Sequence, residues 1–337
     1  MSSLALFSSL SFSLGGVTPP LSGTASSPTG NGNYPFGGGV ELISITHDVA
    51  GDLFVTVNDF FIGSGSAIYK MTPGGSVSLF AGSMSARGLV NATGSSARFN
   101  YPQPITRLTN GDLVVYDNQN SRVRVITSPG ASVTEWAFDT VTVNAVDLYT
   151  IAQAPSGELY SSGGRAIYKI NNSGTGTQIA GPLDGSTSGH VDGTGTTARF
   201  TFINDIALDP TTGDMIVCEN SHYIRRVTPA GVVTTIAGNG TSTPSDGAAL
   251  SAGIPFPKGV AVAPDGTIYF SCFAHHTIRK LSGGVVSTIS GQSGSSGWVD
   301  AAGTSARYFN PGRMTYNIVD NSLYVIDQQD LVIRKVL

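Results

Sequence analysis

The feature that most constrains this chain is an internal repeat. One phrase recurs six times: an apolar strand, a tight turn with Gly or Asn, a strand rich in Leu, Ile, Tyr and Val, a polar hairpin, then a run such as Ile-Arg-Lys. The turn residues are Gly51, Gly111, Gly157, Gly213, Gly266 and Asn321, spaced 46 to 60 residues apart. Copy five shows the unit most clearly. GVAVAPDG (Gly259–Gly266) is a strand and a turn whose dihedrals Pro264, Asp265 and Gly266 supply. Thr267–Cys272, Thr277–Leu281 and Val285–Gly291 follow as three more strands rich in β-branched and aromatic residues. Four short antiparallel strands per repeat mark a β-propeller blade. The expected fold is therefore all-β: a six-bladed β-propeller of four-stranded antiparallel blades, in a single domain over 1–337.

The last copy stops early. Its second and third strands are Asn321–Asp327 and Val332–Leu337, and the chain then ends. A blade without its outer strand exposes an open edge. Leu10–Gly15 shares the apolar phase of Val77–Gly82, the outer strand of copy one. The first segment, 4–15, is therefore expected to complete blade six and close the ring. Residues 16–39 then form a Gly/Pro/Ser-rich loop, and 40–337 hold the six repeats.

With a net charge of −4 and a pI near 5.7 the chain lacks the basic footprint of a nucleic-acid binder. No apolar run reaches the ~18 residues of a membrane span. Leu4–Leu14 is apolar, but the first cation is Lys70, so the positive start of a cleavable signal peptide is missing. Charged residues make up 12% of the chain, against about 25% in ordinary soluble proteins. Such sparse charge suits packing against other subunits, because interface cores are depleted of charge. With abundant Gly, Ser and Thr and no export signal, it points to a virion component made in the cytoplasm, a phage tail or capsid-surface protein within a larger assembly. The competing location is the cell surface.

The phrase GVAVAPDGTIYF…HHTIRKL…GVVSTISG resembles the NHL repeat, whose members form six-bladed propellers, and VVYDNQNSRVRVI in copy two fits the same pattern. The resemblance covers all six copies. Three loops before blades two, four and six match a common elaboration of that family: NATGSSARFNYP (Asn91–Pro102), VDGTGTTARFTF (Val191–Phe202) and VDAAGTSARYFNP (Val299–Pro311). The hairpin Asp of the family is present as Asp117 and Asp327, and is read as replaced by Cys218 and Cys272 in copies four and five. The resemblance implies the fold and leaves function open, since such propellers range from enzymes to protein- and RNA-binding modules.

Two sets of residues are candidates for chemistry. Arg98, Arg199 and Arg307 lie in the three loops, alternating around the ring. Either they form a pseudo-threefold set of guanidiniums for anions, or each anchors its own loop while Phe99, Phe200 and Tyr308 plug the blade junctions. Asn91 stands where the other loops have Asp192 and Asp300, so an own-loop salt bridge cannot serve all three. The second set lies where the innermost strands begin: Pro104, Thr150, Asp205, Gly259 and Arg313, with Asn204 and Lys258 one residue earlier. Asp205, Lys258, Arg313 and Asn204 would either grip a small polar ligand at the channel mouth or seal the channel as an internal ion pair.

The five histidines form no HxH or HxxxH pair, and His222 and His276 occupy equivalent hairpin positions. Cys218 and Cys272 are read as buried free thiols at equivalent points of adjacent blades. Neither a metal, nor a cofactor, nor a catalytic residue is expected. The sequence thus favours a non-catalytic structural module that binds protein subunits or surface glycan. The alternative is a propeller lyase or hydrolase working at the channel mouth.

Overall fold

The computed structural model describes residues 10–13, 39–59, 65–73, 75–136, 148–154, 156–171, 176–182 and 187–336. Its innermost strands are Val40–His47, Pro102–Arg107, Thr150–Gln153, Ile203–Leu208, Pro257–Val262 and Pro311–Asn317. Each touches the next, and the sixth touches the first, so the six enclose a central channel. From each inner strand a blade steps outward through three further antiparallel strands. The face where the inner strands begin is called the upper face below.

Ring closure follows the expected route. In blade six, Ser322–Asp327 and Val332–Val336 follow the inner strand, and Leu10–Ser13 pairs antiparallel with the latter, Phe12 opposite Ile333. The remainder of the expected closing segment and the loop 16–38 lie outside the described residues.

Every blade is flanked by two others, so its second strand is covered on both faces. Leu53–Asp59 and Met215–Glu219 are accordingly buried along their whole length. This is why these strands read as apolar runs without strict alternation. Phe99, Phe200 and Tyr308 are fully buried in the cores at the blade junctions, as the sequence led us to expect. Each such ring contributes about 1.5–3 kcal/mol on leaving water.

Five inner strands share one irregularity. The register slips between Leu42 and Ser44, Pro102 and Ile105, Ile203 and Asp205, Pro257 and Val260, and Pro311 and Met314. A bulge leaves a residue out of the ladder and re-aims its side chain. Asn204, Lys258 and Arg313 all sit in these slips, at the upper end of the channel.

Register also corrects two sequence assignments. Glu219, opposite Tyr223, occupies the place that Asp117 has opposite Arg122 and Asp327 has opposite Val332. Copy four therefore keeps its hairpin acid, and in copy five Cys272, opposite Thr277, replaces it. Cys218 lies one position earlier, so the two cysteines are not equivalent. Both are buried free thiols. The misreading arose because Cys218 and Glu219 are adjacent and the alternation of a doubly buried strand does not mark register.

Candidate functional site

At the upper mouth the structure brings Asp205 and Arg313 together. Arg313 leaves blade six and crosses the axis. Its guanidinium donates to the Ser44 hydroxyl of blade one (3.4 Å) and to the backbone carbonyls of Tyr149 and Asn204, in blades three and four. Its Nε lies 3.9 Å from Asp205 Oδ1, while Asp205 Oδ2 accepts the Val260 backbone N–H at 3.1 Å. Burial pushes the Asp205 carboxyl above its ordinary range, against the pull of Arg313. The result is an ion-paired plug linking five blades. Ser44 is the blade-one member of this ring, unseen in the sequence because the bulge at residue 43 shifts its alignment.

Asn204 is a strut: its amide donates to Asn220 Oδ1 (2.7 Å) and the Pro257 carbonyl (2.8 Å), joining blades four and five. Lys258 is different. It is half-buried, and among the described residues it makes no hydrogen bond or ion pair. Burial, and then the neighbouring Arg313 charge, lower its amine below the ordinary range despite Asp205 and Glu41 nearby. Glu41 accepts a hydrogen bond from the Tyr101 hydroxyl at 2.8 Å.

Aromatic side chains surround this mouth. Tyr101, Phe202 and Phe256 occupy the equivalent loop position two residues before the bulge, and Tyr149 packs edge-on against Phe202 at 5.0 Å. Phe256 is 42% exposed and the other three are half-buried. Phe256 sits at φ 43°, and His222 Nδ1 accepts its N–H at 3.1 Å. His276 holds the N–H of Asn310 in the same way at 3.3 Å, so the equivalence expected of these histidines extends to their bonding.

The loop arginines anchor their own loops. Arg98 donates to the carbonyls of Ser95 and Ala97 (2.7 and 2.6 Å), Arg199 to those of Thr196 and Ala198, and Arg307 to those of Thr304, Ser305 and Ala306. Asp192 and Asp300 turn instead to fully buried arginines on the third strands. Arg225 meets Asp192 at 2.7 Å and Glu219 at 2.8 Å; Arg334 meets Asp300 at 2.7 Å and Asp327 at 3.2 Å. Arg124 meets Asp117 at 2.8 Å and takes Asn91 Oδ1 at 2.6 Å, which explains why an amide suffices in that loop. Phe99, Phe200 and Tyr308 lie under these guanidiniums at 4.7–5.2 Å. Residues 245–253 build a fourth such loop, where Asp246 meets Arg279 at 2.7 Å. Sequence reasoning missed these clamps, although the third-strand Arg recurring some thirty positions after each loop acid was their signal.

A cavity of about 200 Å³ lies in the channel below the plug. Asp205, Arg313 and Ser44 form one end, and it runs down the inner strands to His47, Gln153 and Tyr316. Glu41, Tyr101, Asn204 and Lys258 do not line it. The plug thus divides the channel into a closed upper dish and a lower chamber. Among the described residues no three His, Cys, Asp or Glu side chains are grouped to hold a metal, and no helix is long and apolar enough to cross a membrane.

No protein-family model and no curated protein matches the chain. Solved structures do. An auxiliary nutrient binding protein from Bacteroides ovatus ATCC 8483 is similar with a TM-score of 0.62 at 20% identity, over 88% of this chain and 68% of that one. An auxiliary nutrient binding protein from Bacteroides thetaiotaomicron VPI-5482 gives 0.61 at 15%, over 89% and 72%. A catalytically inactive virginiamycin B lyase from Staphylococcus aureus, with quinupristin, gives 0.55 at 14%, over 98% and 99%. At such identities the likeness is one of fold, and this chain is a six-bladed β-propeller.

Proposed function

We propose that this chain is a non-catalytic binding propeller whose upper face takes a surface glycan bearing carboxylate groups. The observation that carries the reading is the dish itself: four aromatic side chains around a mouth that Arg313 closes, with the unpaired ammonium of Lys258 inside it. Sugar rings present flat C–H faces that pack on aromatic rings, and a carboxylate would meet Lys258 where solvent is partly excluded. The closed floor favours a platform for a long ligand over a pocket for a small one. The nutrient binding proteins of similar fold are in keeping with a binding role.

The test is affinity electrophoresis in gels containing polygalacturonate or neutral dextran. The protein should be retarded by the acidic polymer, and Phe256→Ala and Lys258→Met should each abolish retardation. Free migration of the native protein in both gels would refute the reading. A second reading, a lyase or hydrolase at the same mouth, is favoured by the opposed shifts of Asp205 and Lys258, a pattern that clusters at active sites. Release of oligosaccharide during the same incubation would select it. We also place the protein on a virion or cell surface, from its sparse charge; mass spectrometry of purified particles and envelopes that failed to recover it would remove that setting.

A further inference from the structure

The three loop arginines are anchored through one nitrogen only. In Arg98, Arg199 and Arg307 it is Nη1 that donates to the loop carbonyls. Among the described residues their Nε and Nη2 have no partner, and no carboxylate is within ion-pair reach. The pinned nitrogen fixes the plane of each guanidinium. The free Nε–H and Nη2–H then form the fork that takes both oxygens of a carboxylate.

Strand alternation aims these forks. Val90 bridges Arg98, Val191 bridges Arg199 and Val299 bridges Arg307, all antiparallel. Partners in such a bridge share a face, and their neighbours turn to the other. Phe99, Phe200 and Tyr308 therefore point inward with Asn91, Asp192 and Asp300, while each Arg points outward beside its Val. The three valines are 44%, 47% and 45% exposed. The loop acids thus serve the buried clamps and leave the outer arginines without a counter-charge. Each Arg stem crosses a glycine, since a Cβ on Gly88, Gly189 or Gly297 would meet the Arg Cβ at 3.5, 3.5 or 3.7 Å.

The fourth loop shows that anchoring does not require an arginine there. Residues 245–253 keep the clamp, Asp246 on Arg279, yet Gly253 stands opposite Ser245 where the other loops carry arginine. The forks belong to the upper face, because each loop joins the end of an outer strand to the start of the next inner strand. Tyr101 and Phe202 of the dish follow Arg98 and Arg199 by three residues, a span of about 11 Å at most. Phe309, 40% exposed, follows Arg307 by two. Around the forks the exposed residues are Ser95, Ser96, Thr196, Thr197, Thr304 and Ser305. They offer hydroxyls to a sugar and no apolar core to a protein partner.

We infer that Arg98, Arg199 and Arg307 are three outlying carboxylate sites that grip, at the rim, an acidic glycan bound over the dish; this rests on the acidic-glycan reading of the dish. Each fork takes one carboxylate side-on, and a long chain can leave the dish over any of the three. One exposed pair of this kind strengthens binding at most about five-fold, so strength comes from several forks engaged by one chain.

The test follows the Nε–Hε resonances of the full chain labelled with nitrogen-15 arginine. A galacturonate dodecamer should shift those of Arg98, Arg199 and Arg307 saturably. A galacturonate trimer should do so with several-fold lower affinity, and a neutral maltodextrin not at all. Arg98→Gln, Arg199→Gln and Arg307→Gln together should weaken the dodecamer roughly tenfold, and any one alone about two- to five-fold. Silence of all three signals, equal shifts with maltodextrin, or tighter binding of a glutamate oligomer at the forks would each overturn the inference. The last would assign the forks to an acidic protein. The native signals decide even if the triple variant fails to fold. The two readings fail separately. Retardation of a native protein with silent forks removes the forks and keeps the dish. Responding forks in a protein whose retardation survives Phe256→Ala and Lys258→Met remove the dish and keep the forks.

Discussion

Blades four and five carry the same clamp with different anions. In blade four Arg225 lies between Glu219, which is wholly buried, and Asp192, which is about half exposed. In blade five Arg279 has the half-exposed Asp246, and where the second acid should stand is Cys272. Burial pushes that thiol up to about 11, against the pull of Arg279 beside it, so it stays neutral. The third-strand geometry survives this loss. Two partners other than the acid explain why: both guanidiniums also donate to loop carbonyls, Arg225 to Val191 and Arg199, Arg279 to Ser245 and Gly253. The clamp is thus first a device for saturating loop carbonyls, and second an ion pair.

If so, removing the arginine should cost more where it leaves a buried carboxylate behind. Arg225→Met takes the guanidinium from Glu219 and leaves it only the bonds from Thr201 and His190; removing one member of a buried ion pair costs about 3–5 kcal/mol. Arg279→Met strands only carbonyls and a solvated Asp246, and should cost about 1–3 kcal/mol. Urea denaturation of both variants measures the difference. Equal losses would mean that the carbonyls carry the whole effect and Glu219 none of it.

A smaller change works in the opposite direction. Cys272→Asp restores the acid of the other blades with little change in volume. At neutral pH it should leave stability within about 1 kcal/mol of the native protein or raise it, because the desolvation of a buried carboxylate roughly offsets its attraction to the guanidinium. A loss of several kcal/mol, measured by the same titration, would show that blade five is packed around the thiol and has no place for an acid.

These clamps also mark how far the sequence was legible. Blade number, strand order and the closing role of Leu10–Ser13 follow from repeat spacing and from one unpaired edge, both of which are written along the chain. The clamps depend on pairs some thirty residues apart, such as Asp192 with Arg225, and an acid in a loop offers no local sign of which arginine it serves. Arg98, Arg199 and Arg307 stand out along the chain because they recur in the three loops, yet each serves the carbonyls of its own loop. Repeat alignment places Asp205, Lys258, Arg313 and Asn204 at one mouth without saying which of them pair, and the reach of Arg313 across the axis to Tyr149 and Asn204 depends on a bulge that no residue pattern announces. The division of the channel into dish and chamber follows from that reach.

Acid should separate the two blades as well, with the smallest effect. In Glu219 burial raises the carboxyl, but hydrogen bonds from His190 and Thr201 together with Arg225 outweigh it and hold it below its ordinary value. Asp192 and Asp246 are likewise held low: burial opposes, and their bonds to Thr235 and Thr288 and to the arginines prevail. A carboxyl lowered in the folded state takes up its proton more readily when unfolded. Its contribution is therefore complete above the ordinary carboxylate range and is lost as pH falls through the folded value. Blade four carries two such groups, blade five one. Hydrogen exchange, corrected for intrinsic rates, should show protection in Tyr223–Val227 falling more steeply between neutral and acid pH than in Thr277–Ser282. Blades two and six should respond with the opposite sign, since burial pushes Asp117 up to about 6 and Asp327 to about 7. Their folded states bind the proton more tightly, so mild acid should strengthen Arg122–Ile126 and Val332–Val336. Parallel loss of protection in all four third strands would show that acid acts on the ring as a whole and that the clamps do not titrate blade by blade.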